Sequence, residues 1–102
     1  MTDRDSGILP PLALRVRVPQ HVLMRQVGEE LVLLNLDQER YYGLNPSGAL
    51  LMQFAGAGAT MGEIVERMLA EFEVAREQLE VDVRTVAADL MAAGLLEEGI
   101  AG

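Results

Sequence analysis

The stretch Leu31-Val-Leu-Leu-Asn-Leu-Asp-Gln-Glu-Arg-Tyr-Tyr-Gly-Leu-Asn-Pro-Ser-Gly48 changes its pattern twice and decides the fold. An apolar run at residues 31–36 and an aromatic segment at 41–44 flank a polar turn, which is typical of a β-hairpin. Asn45 then offers an N-cap side chain, and Pro46 suits the first turn of a helix. We therefore predict a hairpin that leads directly into a helix. Its short last strand keeps one edge unpaired, and such an edge invites a partner strand.

The segments before this stretch extend the sheet. Residues 22–27 form a further strand, and the tight connection at residues 28–30 joins it to the hairpin. The three strands therefore make an antiparallel meander in the order 1-2-3. Residues 15–18 alternate between polar and apolar side chains and are stopped by Pro19. This segment is either a short strand added to the sheet edge or an extended arm.

The rest of the chain is predicted to be helical. The first helix covers about residues 46–54, and the second begins with a capping box formed by Thr60 and Glu63. The third runs from about residue 76 to 93 and ends at Gly94. Apolar residues at helical spacing mark the second and third helices: Met61, Ile64, Val65, Met68, Leu69 and Phe72, then Leu79, Val83, Val86 and Leu90. Three strands followed by three helices predict an α+β domain of winged-helix-like build, in which the helices bury one face of the sheet.

Composition and charge limit the classes of protein. The 102 residues suffice for one domain with a small core, which we place at residues 15–98 between a flexible N-terminal tail (1–14) and a C-terminal tail (99–102). The formal net charge is −8, and this acidic balance argues against a nucleic-acid partner. The polar N-terminus lacks a signal-peptide pattern, and the apolar runs are too short to span a bilayer. We therefore expect a cytoplasmic protein that does not bind membranes.

The sequence does not contain the residue sets that catalysis or metal binding requires. It has no cysteine and one histidine, His21, which follows Pro19-Gln20 at the entrance of a strand. Of its two serines, Ser6 lies in the tail and Ser47 in the first turn of a helix, where capping is the ordinary role. A nucleophile needs an activating partner, and a metal needs several converging ligands. We therefore predict no catalytic residue, no metal site and no cofactor.

The order of these elements carries a family resemblance. The segment Tyr41-Tyr-Gly-Leu-Asn-Pro-Ser-Gly48, followed by Thr60-Met-Gly-Glu-Ile-Val65 and Ala93-Gly-Leu-Leu96, resembles the PqqD-like family over about residues 22–97. Its members are small recognition domains (RiPP recognition elements) for ribosomally made, modified peptides. The family takes its name from a pyrroloquinoline quinone biosynthesis protein, and its members also serve as leader-binding modules in lasso-peptide pathways. The resemblance implies a non-catalytic protein that binds the leader segment of a precursor peptide as an added strand.

The resemblance also implies where the peptide lies, in a groove between the third strand and the last helix. The strand side would consist of Arg40, Tyr41, Tyr42, Gly43 and Leu44, and the helix side of Val83, Arg84, Ala87 and Met91. Successive strand residues face opposite sides, so the two tyrosine rings cannot both be in the core. For each ring, packing within the fold and contact with a ligand remain equally open. The short or adaptable side chains beside the helix core favour a shallow groove, although alanine is also simply a good helix former.

The resemblance further implies a separate partner enzyme. The chain would act as an adaptor that presents the precursor to a maturation enzyme such as a leader peptidase. We favour a lasso-peptide pathway over a pyrroloquinoline quinone precursor chaperone, because the chain is a discrete module with an additional N-terminal arm. A winged-helix DNA-binding regulator is the rival class, but the last helix holds Arg76 and Arg84 against four acidic residues. A homodimer whose strand edges pair with each other is the remaining alternative.

Overall fold

The computed structural model describes residues 9–99, and residues 1–8 and 100–102 of the predicted tails lie outside this range. Eight elements follow one another along residues 9–99. They are β1 (Val16–Arg17), β2 (Val22–Val27), β3 (Glu30–Asn35), β4 (Arg40–Leu44), α1 (Pro46–Gly56), α2 (Met61–Leu69), α3 (Arg76–Ala92) and β5 (Glu97–Glu98). The predicted α+β fold, a three-stranded antiparallel sheet followed by three helices, is confirmed.

The main sheet has the strand order β2-β3-β4, and both pairings are antiparallel. In the register, Leu33 of β3 lies between Met24 of β2 and Tyr42 of β4. Leu31, Leu33 and Asn35 are buried on the face that the helices cover. The alternate residues of β3 therefore lie on the outer face of the sheet.

A second, two-stranded sheet contains β1. This strand pairs with β5 in antiparallel register, Val16 with Glu98 and Arg17 with Glu97. The Nε–H of Arg17 donates to Glu97 Oε2 at 2.6 Å. Both alternatives predicted for this segment, a strand at the main sheet edge and an extended arm, are therefore wrong. Sequence reasoning found no partner for β1 because β5 is only two residues long and lies 80 positions away.

Residues 9–14 pack against α2 and α3. The carbonyl oxygens of Leu12 and Leu14 accept from the backbone N–H groups of Gly62 and Met61, each at 2.8 Å. These N–H groups belong to the first turn of α2 and have no partner within the helix. Residues 9–14, which the sequence assigns to a flexible tail, therefore satisfy donors that the helix leaves free.

The helix termini follow their sequence signals. Asn45 Oδ1 accepts from Gly48 N–H at 2.9 Å at the start of α1. The capping box of α2 is confirmed: Thr60 N–H donates to Glu63 Oε1 at 2.8 Å, and Glu63 N–H donates to Thr60 Oγ1 at 3.1 Å. The hydrogen bond from the Thr60 backbone holds the pKa of the exposed Glu63 carboxyl below its usual value. Gly94, with φ of 76°, follows α3 as predicted, because glycine adopts this conformation without strain.

Candidate functional site

Strand β4 is an edge strand within the described residues, where it pairs with β3 alone. It consists of the five residues that the sequence assigns to the strand side of the peptide site: Arg40, Tyr41, Tyr42, Gly43 and Leu44. The strand is therefore in a position to accept a further strand along its free side.

The direction of the backbone hydrogen bonds in β4 follows from its neighbour. Leu36 N–H, just after β3, donates to the carbonyl oxygen of His21 at 2.8 Å, on the β2 side. Successive amides along an antiparallel strand alternate in direction, so Leu33, three residues earlier, points its N–H towards β4. Tyr42 lies directly opposite Leu33. Both backbone polar groups of Tyr42 therefore face β3 and belong to the hairpin.

The backbone polar groups of the residues on either side of Tyr42 point away from β3. The N–H and C=O groups of Tyr41 and Gly43 face the open edge, where an added strand finds two donors and two acceptors. The side chains also alternate: Tyr41 is 75% exposed, whereas Tyr42 is half-buried against the core. The Tyr42 hydroxyl donates to Gln38 Oε1 at 3.1 Å. The prediction that the two rings lie on opposite faces is confirmed, and Tyr42 is the inner ring.

Helix α3 runs from one end of the main sheet to the other, in the direction opposite to β4. Just beyond its C-terminal end, the Gly94 carbonyl accepts from His21 Nε2 at 3.0 Å, and His21 precedes β2 at the end of the sheet where Arg40 begins β4. In its first half, Asp82 shares a cavity with Ser47, three residues after the end of β4. The helix therefore passes from the Leu44 end of β4 to the other end of the sheet on the β2 side, and its first half lies nearest the open edge.

This cavity is the apolar depression at the Leu44 end of β4. Its volume is about 180 Å³. The lining comes from the start and middle of α1, the end of α2 with the turn after it, and residues 79–86 of α3: Ser47, Leu51, Met68, Phe72, Val74, Leu79, Asp82, Val83 and Val86. Seven of these nine side chains are apolar, so the depression suits an apolar side chain.

The helix-side residues predicted from the sequence do not lie together at this groove. Val83 lines the depression and is only 3% exposed, while Ala87 is 0% exposed and belongs to the core. Arg84 Nε donates to the Pro10 carbonyl at 2.8 Å, on the flank that residues 9–14 cover. Met91 is seven residues, about two turns, further along that flank. The four predicted helix-side residues are therefore not brought together, whereas Asp82 and Val86 on the opposite flank line the depression with Val83.

The arginines of α3 are engaged within the chain. Arg76 forms ion pairs with Glu66 at 2.7 Å and with Glu80 at 3.8 Å, and Arg84 binds the Pro10 carbonyl. A DNA-recognition helix needs free cations for phosphates and bases. The geometry of α3 therefore gives no support to the DNA-binding alternative.

Of the polar residues considered for catalysis, Ser6 lies outside the described residues, and His21 and Ser47 have structural partners. Besides its contact with Gly94, His21 places Nδ1 3.6 Å from Asp37 Oδ2, and Ser47 Oγ donates to Asn45 Oδ1 at 3.2 Å. Within residues 9–99, histidine and acidic side chains form no group of three that could hold a metal ion. Over the same range, no helix has the length and apolar character needed to cross a membrane.

Comparison with known proteins adds three findings. The family model of coenzyme PQQ synthesis protein D (PqqD) matches residues 30–96. The chain is similar to the structure of TbiB1 in complex with the TbiA(beta) leader peptide, with 31% identity, 84% of this chain and 99% of that chain covered, and a TM-score of 0.76. It shares the fold of a lasso peptide synthetase B1 complexed with its leader peptide, with 24% identity, 80% and 96% covered, and a TM-score of 0.74.

No curated protein matches the chain. The family match nevertheless spans β3, β4, all three helices and the segment before β5, which includes every element that forms the groove. This chain belongs to the PqqD family.

Proposed function

We propose that this chain binds the leader segment of a ribosomally synthesised precursor peptide by adding it as a strand to the free edge of β4. The observation that carries this proposal is the set of outward-facing backbone groups of Tyr41 and Gly43, on an edge strand whose Leu44 end lies near the first half of α3. Its similarity to TbiB1, whose structure contains a leader peptide, supports the same function. Backbone hydrogen bonds supply affinity, and the apolar depression at the Leu44 end selects side chains.

The proposed role is recognition without catalysis. The bound precursor is presented to a separate maturation enzyme, such as a leader peptidase, and holding it there raises its effective concentration at that enzyme. The lasso-peptide type is favoured over a pyrroloquinoline quinone precursor chaperone, because both similar structures are leader-peptide complexes and one is a lasso peptide synthetase B1. Pairing of two β4 edges in a homodimer would compete with the leader, since both use the same backbone groups.

Two proline substitutions test strand addition at β4. Tyr42→Pro removes an N–H group that bonds β3, so this variant should lose hairpin stability and melt at a lower temperature. Tyr41→Pro removes an N–H group that faces the open edge, so this variant should stay folded and bind the leader at least tenfold more weakly, a change of about 1.4 kcal/mol. Thermal melts and fluorescence anisotropy with labelled TbiA(beta) leader peptide measure the two effects.

A labelled DNA duplex serves as the control ligand at physiological salt. The parent protein should bind the leader peptide and leave the duplex unbound. Sedimentation of the parent with and without peptide separates leader binding from edge-paired dimerisation. If folded Tyr41→Pro binds the leader as tightly as the parent, the leader does not pair with β4.

A further inference from the structure

The outer face of the main sheet carries a carboxylate that leans towards the β4 edge. Glu30 begins β3 on the face opposite the helices, and its Oε2 lies 3.2 Å from where a Cβ on Gly43 would sit. Gly43 has no side chain, so the carboxylate occupies the space above the β4 backbone. Among the described residues, Glu30 forms no ion pair within 4 Å. Arg25 shares this face but lies on β2, two strands away from Gly43, where it pairs with Val32.

The same two strands place an aromatic ring beside this carboxylate. Tyr41 lies two residues before Gly43, so its side chain shares the outer face, and it is 75% exposed. Gly43 between them has no side chain, and the Glu30 carboxylate lies over its backbone. The ring, this bare backbone and the carboxylate outline a shallow channel that begins at the edge of β4 and ends at Glu30.

A strand added to β4 would place one side chain at the mouth of this channel. The leader residue directly across from Gly43 shares its face, and neighbouring strands lie about 4.8 Å apart. A lysine or arginine at that position can lay its aliphatic stem across Gly43 and bring its charged end to the Glu30 carboxylate. Its cation would also pass the Tyr41 ring, which attracts positive charge through its π face.

We propose that Glu30 is a specificity-determining residue that selects a leader peptide with lysine or arginine at the position across from Gly43. This inference rests on the proposed leader binding at β4 and deepens it by naming a charge that the peptide carries. Glutamate at the same leader position would meet the carboxylate at close range and be repelled. The channel lies on the outer face, separate from the apolar depression beside α3.

A charge scan of the leader tests the channel. Single positions of the TbiA(beta) leader peptide are replaced by lysine and by glutamate, and each peptide is titrated against the parent and Glu30→Gln. We expect one position at which lysine binds about three- to fivefold more tightly than glutamate, the range of an exposed ion pair. This preference should disappear in Glu30→Gln and weaken at high salt.

Two further variants test whether the preference for lysine comes from the channel and not from the net charge of the protein. Glu98→Gln, on the separate β1–β5 sheet, changes the net charge equally and should keep the preference. Gly43→Ala should reduce it, because the new methyl group displaces only the flexible end of Glu30 and leaves the fold intact. If the leader binds but no position shows a preference that depends on Glu30, the channel is refuted. Failure of the parent to bind any of the peptides would contradict leader binding itself, and the channel with it.

Discussion

The two flanks of α3 differ in what covers them. One flank carries Arg84 and Met91, and residues 9–14 of the same chain reach it through the bond from Arg84 to the Pro10 carbonyl. The other carries Asp82 and Val86 and opens into the apolar depression at the end of β4. Both flanks include short or apolar side chains beside the core. Short or apolar side chains on a helix flank therefore indicate that the flank packs against another group. They do not indicate whether that group is a segment of the same chain or a ligand.

The largest expected effect comes from placing a charge at Ala87. This residue lies between the apolar stripe of α3 and the flank that residues 9–14 cover. Ala87 is fully buried, so Ala87→Glu places a carboxylate in the core without a partner. We expect the free energy of unfolding to fall by about 3–5 kcal/mol, as it does when a buried charge is left uncompensated. Chemical denaturation followed by circular dichroism measures this change.

Thr85→Glu is the matched control, because Thr85 is exposed in the middle of the same helix. It should change the unfolding free energy by no more than about 0.5 kcal/mol. If Ala87→Glu keeps the parent's stability and weakens only leader binding, Ala87 lines the groove and the assignment of the flanks made from the structure is wrong.

The next prediction compares how a charge on each flank of α3 changes the affinity for the leader peptide. Val86 is half-buried at the depression, so Val86→Glu should weaken leader binding by about 1–3 kcal/mol, because an unpaired carboxylate would be desolvated by the bound peptide. Met91→Glu introduces the same charge on the flank towards residues 9–14 and should leave the affinity for leader within a factor of two. Isothermal titration with TbiA(beta) leader peptide compares the two variants. The reverse ranking would restore the groove predicted from the sequence.

The edge strand of the candidate site was predictable because its signals are local. An apolar run, a polar turn and the Tyr41–Gly48 segment predict a hairpin and a helix start within one stretch of chain. Alternation alone predicts that the two tyrosine rings face opposite sides. Which ring faces inward depends on the register with β3, and the bond from Leu36 to His21 fixes the direction of every amide in that register.

Which flank of α3 meets the depression was not predictable, because it depends on contacts between distant residues. The four-and-three spacing identifies the stripe Leu79, Val83, Val86 and Leu90, but leaves both flanks equivalent. The distinction comes from Pro10, 74 positions before Arg84. The N-terminal segment was expected to be a flexible tail, since it has neither periodicity nor many apolar residues. It packs because its carbonyl groups meet the free amides of α2, and a hydropathy pattern does not report this kind of interaction.

The smallest expected effect tests that contact between the N-terminal segment and α3. Arg84→Met keeps most of the aliphatic stem and removes the donor to the Pro10 carbonyl. We expect the free energy of unfolding to fall by about 1 kcal/mol, which lowers the melting temperature of a domain this size by about 4–8 °C. Hydrogen exchange of the Met61 and Gly62 amides should accelerate, because the segment that accepts their hydrogen bonds is held less firmly. Leader affinity should stay unchanged.

Arg76→Met makes the same chemical change on the same helix and provides the control. Its side chain is 49% exposed and forms only surface ion pairs, so the loss of stability should stay below that of Arg84→Met, and the exchange of both amides should match the parent. Scanning calorimetry and amide exchange on the two variants decide the comparison. If Arg84→Met weakens leader binding while stability and exchange remain at parent values, Arg84 contacts the peptide. The flank covered by residues 9–14 would then be the true wall of the groove.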